Sequence, residues 1–219
     1  MSQVARRSYR QFCGLAAALD VVGERWALLV VRDLTPGPRR FSDLFAGLPG
    51  IATDVLTDRL RSLEGAGAVR RTAVTTPVPG TVYELTDRGR QLADVAGRLA
   101  EWGVALLPAE PGDHRLNARW ALATMCRGYR GGLAEGEYRW TIDGHDLTVD
   151  VTGERARLRY GHGDGSAVLA VTCTGVDFFR LVAVGHPATT LASLQVSGAH
   201  DVLGRFVAAL PLDIRTEPS

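Results

Sequence analysis

The chain contains no lysine; all 25 of its basic residues are arginine. Any basic side chain that meets a phosphate must therefore be a guanidinium. Asparagine occurs once, at Asn117, while alanine and glycine are abundant. That usage reflects a GC-rich coding sequence before it reflects function. Cysteine is scarce: Cys13, Cys126 and Cys173 are odd in number and far apart. This argues against a disulfide framework and fits a reducing cytoplasm. No apolar run approaches the roughly 20 residues of a membrane span. The first residues, MSQVARRSYRQF, have basic residues but no apolar stretch after them, so they do not read as a secretory signal. A cytoplasmic protein without membrane contact is expected.

The motifs of catalysis are also missing. No Ser-His-Asp arrangement, paired-carboxylate motif or phosphate-binding glycine loop stands out, and the five histidines and three cysteines show no metal-ligand spacing. His145 and His162 border strands in turns, where they are solvated. Asp177 opens a helix, where a carboxylate is stabilising. No enzyme, cofactor or metal is expected.

What is present is a globular composition, with 46% hydrophobic and 22% charged residues among 219. The net charge of +1 hides an asymmetry. Residues 1–107 hold 14 arginines against 11 acids, and residues 108–219 hold 11 against 13. The positive half is compatible with nucleic acid but does not require it.

The most informative stretch is Gly50 to Gly67. Leu56, Leu60 and Leu63 share one helical face. Asp54, Asp58 and Arg61 point the opposite way, with Thr53 and Thr57 on the flank. Two helices precede it, Phe12 to Val22, with Phe12, Leu15, Ala16 and Leu19 on one face, and Glu24 to Leu34, ended by Thr35-Pro36-Gly37-Pro38. Arg39 and Arg40 follow, then a short helix around Ser42 to Leu48 and a turn at Pro49-Gly50. Helix, tight turn, helix is the order of a helix-turn-helix. The period then alternates: Val69 to Val74 and Val82 to Leu85 read as two strands around a proline-rich turn, the wing. Thr86 caps a helix that runs to about Leu106. Along it Leu92, Val95, Leu99, Trp102 and Leu106 form a heptad-like stripe. The stripe either packs on its own domain or forms a dimer interface.

Residues 108–113 (PAEPGD) read as a linker between domains 1–107 and 114–219. The second domain opens with a helix, His114 to about Tyr129. Strands follow at 138–142, 146–152, 155–160 and 167–173, then a helix at 176–184, a short strand at 194–196 and a helix at 199–210. Strands 146–152 and 155–160 alternate, with one wet face each; 167–173 is apolar on both faces and so reads as central. The fold class expected is multi-domain: an α-rich winged helix-turn-helix, then an α+β domain of about five strands with helices on one side.

The first half resembles the HxlR family of winged-helix regulators. The matching residues are Cys13, Gly23-Glu24-Arg25-Trp26, Arg39-Arg40-Phe41, Leu48-Pro49-Gly50-Ile51, Val55-Leu56, Arg59-Leu60, Leu63-Glu64, Gly67, Tyr83-Glu84-Leu85-Thr86, Gly89 and Glu101-Trp102. The resemblance implies a homodimer on a near-palindromic double-stranded operator, and the stripe on the helix 86–106 is the surface expected to form it. On the residues themselves, the DNA contacts expected are Arg39, Arg40, Thr53, Asp54, Thr57, Asp58, Arg61, Arg70 and Arg71. Many members carry serine or proline at 52–53 and arginine or asparagine at 54. Here stand Ala52, Thr53 and Asp54, so the operator should differ from those of relatives. Some relatives use a cysteine at the position of Cys13 as a thiol sensor. Such a role needs a depressed pKa and exposure; the other reading is a small buried hydrophobe.

The second half resembles a sterol-carrier-protein-like domain, through its element order and the stretches 167–172, 176–181 and 196–206. That resemblance implies an apolar cavity for a hydrophobic ligand. Trp140, Val149, Leu158, Phe178, Phe179 and Leu194 are its candidate lining, or plain core. Together these readings give a one-component regulator, a repressor modulated by a small hydrophobic ligand. The alternatives are a regulator with a purely structural dimerisation domain, or a lipid carrier.

Overall fold

The computed structural model describes residues 8–75, 79–107, 117–198 and 200–210. The chain divides into two compact units, Met1–Ala96 and Gly97–Ser219. The expected linker 108–113 lies outside the described residues.

The first unit contains α1 (Gly14–Val22), α2 (Ala27–Leu34), β1 (Arg39–Arg40), α3 (Phe41–Gly47), α4 (Thr53–Gly65), β2 (Val69–Val74), β3 (Gly80–Leu85) and the start of α5 (Asp87–Val104). Its core joins Val30, Val31 and Leu34 of α2 to Leu44 of α3 and to Leu56, Leu60 and Leu63 of α4. The three α4 leucines are at most 1% exposed. They recur every three or four residues and so fall on one stripe. Val69, Leu85 and Ala93 carry the same core across the wing to α5.

Three expectations for this unit need correction. The first helix begins at Gly14, not Phe12, and of its expected apolar face only Ala16 is buried. Phe12, Leu15 and Leu19 face outward. The second helix begins at Ala27, because Trp26 takes a φ of 78° and cannot be helical. Arg39 and Arg40, expected in a connection, form a two-residue strand. It pairs with β3 and gives the sheet order β1-β3-β2.

Thr86 caps α5 as its position suggests. Its Oγ1 accepts from the Gly89 N–H at 3.1 Å, and its carbonyl accepts from Arg90 N at 2.8 Å. Gly89 is required here, since a Cβ would overlap the Ala68 carbonyl oxygen. Of the expected stripe, Leu92 packs on the core, whereas Val95, Leu99 and Trp102 of α5, and Leu106 just past its end, are between 49% and 69% exposed.

The second unit contains α6 (Ala118–Gly128), β4 (Gly136–Ile142), β5 (His145–Thr152), β6 (Arg155–Tyr160), β7 (Ala167–Cys173), α7 (Gly175–Phe179), a π-helical turn Arg180–Val184, β8 (Gln195–Ser197) and α8 (His200–Ala209). The five strands run in the order β6-β5-β4-β7-β8, with β4 and β7 parallel and the other pairs antiparallel. Alternate residues of the strands, among them Tyr138, Trp140, Leu147, Val149, Leu158, Leu169 and Val171, meet Leu122, Met125, Phe178, Leu203 and Phe206 from the helices in one core.

Strand β7 is internal, as expected. The face of β5 expected to be wet is only partly so. The chain leaves β6 at one edge and must pass β5 and β4 to reach β7. Residues 161–165 make that crossing over the outer face. Thr148 Oγ1 donates to the Gly161 carbonyl at 2.7 Å, and Arg139 Nη2 donates to the Gly165 carbonyl at 2.5 Å. Thr148 is fully buried beneath them. Beside it Glu137 accepts from Arg139 at 2.7 Å and from Arg159 at 2.5 Å. Its carboxyl is held below the usual range, chiefly by the Arg139 hydrogen bond.

Candidate nucleic-acid interface

The helix-turn-helix is formed by α3, the turn Leu48-Pro49-Gly50 and α4. Gly50 has a φ of 88°, the left-handed turn that reverses the chain between the two helices. The leucine stripe anchors α4 by its inner face, which leaves Thr53, Asp54, Asp58 and Arg61 exposed and Thr57 half-buried. That outer face carries two carboxylates and one guanidinium. Arg61 Nη1 lies 3.6 Å from Asp58 Oδ1, so its charge is partly spent within the helix. Thr57 Oγ1 donates to the Thr53 carbonyl at 2.8 Å, although rotation could free it for a partner.

The wing arginines divide by register. Arg70 lies opposite Glu84, and Arg71 lies opposite Tyr83. Arg70 Nε donates to Glu84 Oε1 at 2.9 Å. The same oxygen accepts from Thr72 Oγ1 at 2.6 Å. Glu84 is held below the ordinary carboxylate range, first by Thr72 and then by Arg70, and it holds Arg70 above its own. Arg71 instead lies over the Tyr83 ring, its guanidinium carbon 5.7 Å from the centroid. A cation held by a ring face rather than by a carboxylate keeps its charge for a further anion.

Arg39 pairs across to Tyr83 on its other side, so Arg39, Tyr83 and Arg71 form one row across the three strands. Arg40 turns toward the wing turn, where Nη1 donates to the Pro79 carbonyl at 3.3 Å. Both Arg39 and Arg40 are half-buried. A further arginine was not among the expected contacts. Arg25 is exposed and lies over the Trp26 ring at 5.8 Å. Its signals in the sequence were the adjacent tryptophan and its place in the Gly23-Glu24-Arg25-Trp26 run.

Cys13 is exposed at the N-terminus of α1. Its thiol is held below the usual value by backbone hydrogen bonds from Ala16 and then Leu15. The buried-hydrophobe reading does not describe it. Cys126 and Cys173 are buried, and burial pushes each thiol up to about 12.

The six candidate ligand residues do not behave alike. Trp140, Val149, Leu158 and Phe178 are inside the core of the second unit. Trp140 meets Phe178 edge to face at 5.3 Å and Phe206 at 5.2 Å. Leu194 packs on that core part-buried, and Phe179 is half-buried. Successive helical residues point about 100° apart, so Phe178 and Phe179 do not line the same space. Trp140 Nε1 is buried without a hydrogen-bond partner. Asp177, three residues into α7, is buried and accepts from Ser193 N at 3.0 Å and from Ser193 Oγ at 2.5 Å. That clamp ties α7 to the segment before β8 and accounts for its carboxylate structurally.

Among the described residues, no group of acidic, histidine or cysteine side chains is placed to hold a metal, and no helix is long and apolar enough to cross a membrane.

Comparison with known proteins agrees with this geometry. The HxlR-like helix-turn-helix family matches residues 21–111. The HTH-type transcriptional regulator YvaP of Bacillus subtilis is 38% identical over 85 residues, which span 39% of this chain and 79% of that protein. YtcD, another HTH-type transcriptional regulator of the same organism, is 34% identical over 97 residues, or 44% of this chain and 77% of YtcD. Among solved structures, the reduced form of the regulator YodB from B. subtilis is 32% identical, covering 47% of this chain and all of that one, with a TM-score of 0.39. With α3, α4 and the wing assembled on one core, and relatives matched over most of their length, the chain belongs to the HxlR-like helix-turn-helix family of transcriptional regulators.

Proposed function

We propose that the protein is a homodimeric one-component repressor that binds a near-palindromic operator through two copies of α4. The observation that carries this reading is the outward face of α4, fixed by three buried leucines and flanked by the wing. Thr53, Asp54, Thr57, Asp58 and Arg61 meet base edges and nearby phosphates. Asp54 accepts from a cytosine N4 amino group, a contact an aspartate can make in the major groove. Arg39, Arg40, Arg70 and Arg71 contact phosphates, which set register without reading sequence. The exposed stripe Val95, Leu99, Trp102 and Leu106 is the dimer seam. Paired copies of α4 must lie about 34–36 Å apart to enter successive major grooves.

The second domain, residues 114–219, takes up a small hydrophobic ligand beside Trp140 and Phe178. The unpartnered Trp140 N–H supports this, because a buried donor without an acceptor costs about 1–3 kcal/mol. Ligand that favours one dimer geometry shifts the population; a coupling of roughly 1–3 kcal/mol alters operator affinity about 5- to 150-fold. The dense packing of Trp140 on Phe178 and Phe206 favours a second reading, a structural domain without ligand. Cys13, exposed and acidified, is a candidate second input through its oxidation.

The test is a gel shift on DNA upstream of the protein's own gene, with and without hydrophobic metabolites. Retarded DNA that is released by one class of metabolite supports the whole reading. Retardation that no metabolite alters leaves the structural alternative. No specific retardation counts against autoregulation.

A further inference from the structure

The outer face of α4 is short of positive charge. It exposes Asp54 and Asp58, and its one arginine, Arg61, lies beside Asp58. DNA affinity rests largely on cations that neutralise phosphates. Elsewhere in the first unit Arg32, Arg59, Arg70 and Arg90 are each tied to a carboxylate. Arg25 and Arg71 are held differently, each over an aromatic ring.

Both rings are themselves fixed. Trp26 and Tyr83 pack part-buried against the same core. Trp26 is held in the left-handed region at φ 78°, which is strained for a bulky residue and persists only where its surroundings impose it. One consequence is that the ring reaches the turn that leads into α4: its Cη2 atom is 3.9 Å from where a Cβ would stand on Gly50, three residues before α4 begins. Glu24, next but one to Trp26, lies 3.9 Å from Arg59 of α4. The segment 24–26 is thus pinned to the recognition helix by a ring at its entry and an ion pair along its side. Arg25, between these anchors, remains exposed.

The geometry points to Arg25 as a further DNA-backbone contact, held by Trp26 beside the N-terminal end of α4 and matched by Arg71 on the wing after its C-terminal end. The inference rests on the DNA-binding reading. A guanidinium already held over a ring has less freedom left to lose when it meets a phosphate. It also offsets the repulsion that Asp54 would exert on the backbone at that end.

The test is the salt dependence of full-length protein binding to a duplex of random sequence, read by fluorescence anisotropy between roughly 50 and 200 mM salt. Each neutralised phosphate contributes about 0.9 to the slope of log affinity against log salt. Each substitution removes one contact from each protomer of the dimer, so Arg25→Ala is expected to lower the slope by about 1.8, and Arg25→Ala with Arg71→Ala by about 3.6. Arg25→Lys, which keeps the charge, retains the slope. Arg25→Gln, which keeps the polar stem, behaves as the alanine variant and serves if that variant does not fold. A wild-type slope in both Arg25→Ala and Arg25→Gln, with a lowered one in Arg71→Ala, overturns the assignment of Arg25 and leaves the DNA reading standing. Absence of binding by the wild-type protein overturns both.

Discussion

Arg70 donates to Glu84 directly across the wing, at 2.9 Å, while the next residue, Arg71, lies over Tyr83 on the opposite face of the same two strands. Adjacent arginines are thereby given different work. Arg70 must give up an ion pair and a shared carboxylate to reach a phosphate; Arg71, held over the Tyr83 ring, has no such ion pair to give up. Arg71→Ala is therefore expected to lower the salt slope of DNA binding by about 1.8, one phosphate for each protomer of the dimer, and Arg70→Ala by distinctly less. Anisotropy titrations of both variants at several salt concentrations check this. Equal losses would show that the Glu84 pair does not hold Arg70 back.

Asp54 should have two opposed effects. In the first turn of α4 it stabilises the helix by about 0.3–1 kcal/mol. Facing phosphate it opposes binding. Asp54→Ala is expected to lower the melting temperature slightly and to tighten binding to random DNA. If Asp54 reads a cytosine, the same change relaxes preference at one base pair by about 1–3 kcal/mol. A binding-site selection on both proteins measures this; weaker binding to random DNA would contradict the electrostatic argument.

Gly89 lies where α5 crosses the Ala68 carbonyl. Gly89→Ala forces the helix away from the wing and is expected to cost about 1–3 kcal/mol. Urea unfolding should show a lower midpoint with an unchanged slope. An unaltered midpoint would mean that α5 docks without that close approach.

Trp102 is 68% exposed on a stripe with Val95, Leu99 and Leu106. A row of this kind on one chain marks an interaction surface. Trp102→Glu is expected to shift the protein from dimer to monomer in sedimentation experiments. Loss of paired half-site engagement then lowers operator affinity on the order of 100-fold. A dimer that survives this change places the interface elsewhere.

The three thiols should separate by reactivity. The pKa of Cys13 is lowered, so its thiolate forms at a lower pH than that of an ordinary cysteine. Iodoacetamide labelling across pH 6.5–9, a span on the order of the usual thiol range, followed by mass spectrometry, should modify Cys13 first and with a midpoint below the usual thiol value. Cys126 and Cys173, with pKa values near 12, should stay unlabelled in the folded protein. Early labelling of either would indicate opening of the second unit.

Much of the first unit is legible in its residues. The spacing of Leu56, Leu60 and Leu63 fixes which face of α4 is buried, and so which residues are presented. The change to alternation at Val69 marks the wing, and Thr86 marks the start of α5. In the second unit the strands and helices lie within a few residues of their expected places. The exceptions are instructive. Arg39 and Arg40 are too short a run to show any period, and only pairing with β3 makes them a strand. The apolar spacing of Phe12, Leu15 and Leu19 promised a buried face, but periodicity cannot say whether a partner element is there to cover it.

Elements, faces and caps follow from the sequence by itself, because they depend on residues within a turn or two of one another. The tertiary structure decided what depends on distant pairs. It paired Arg70 with Glu84 and laid Arg71 over Tyr83. It set β7 parallel to β4, so that residues 161–165 had to cross the outer face of the sheet and cover Thr148. It also separated Phe178, in the core against Trp140, from half-buried Phe179 beside it. These outcomes follow from registry and packing between segments far apart in the chain, and no local pattern of residues encodes them.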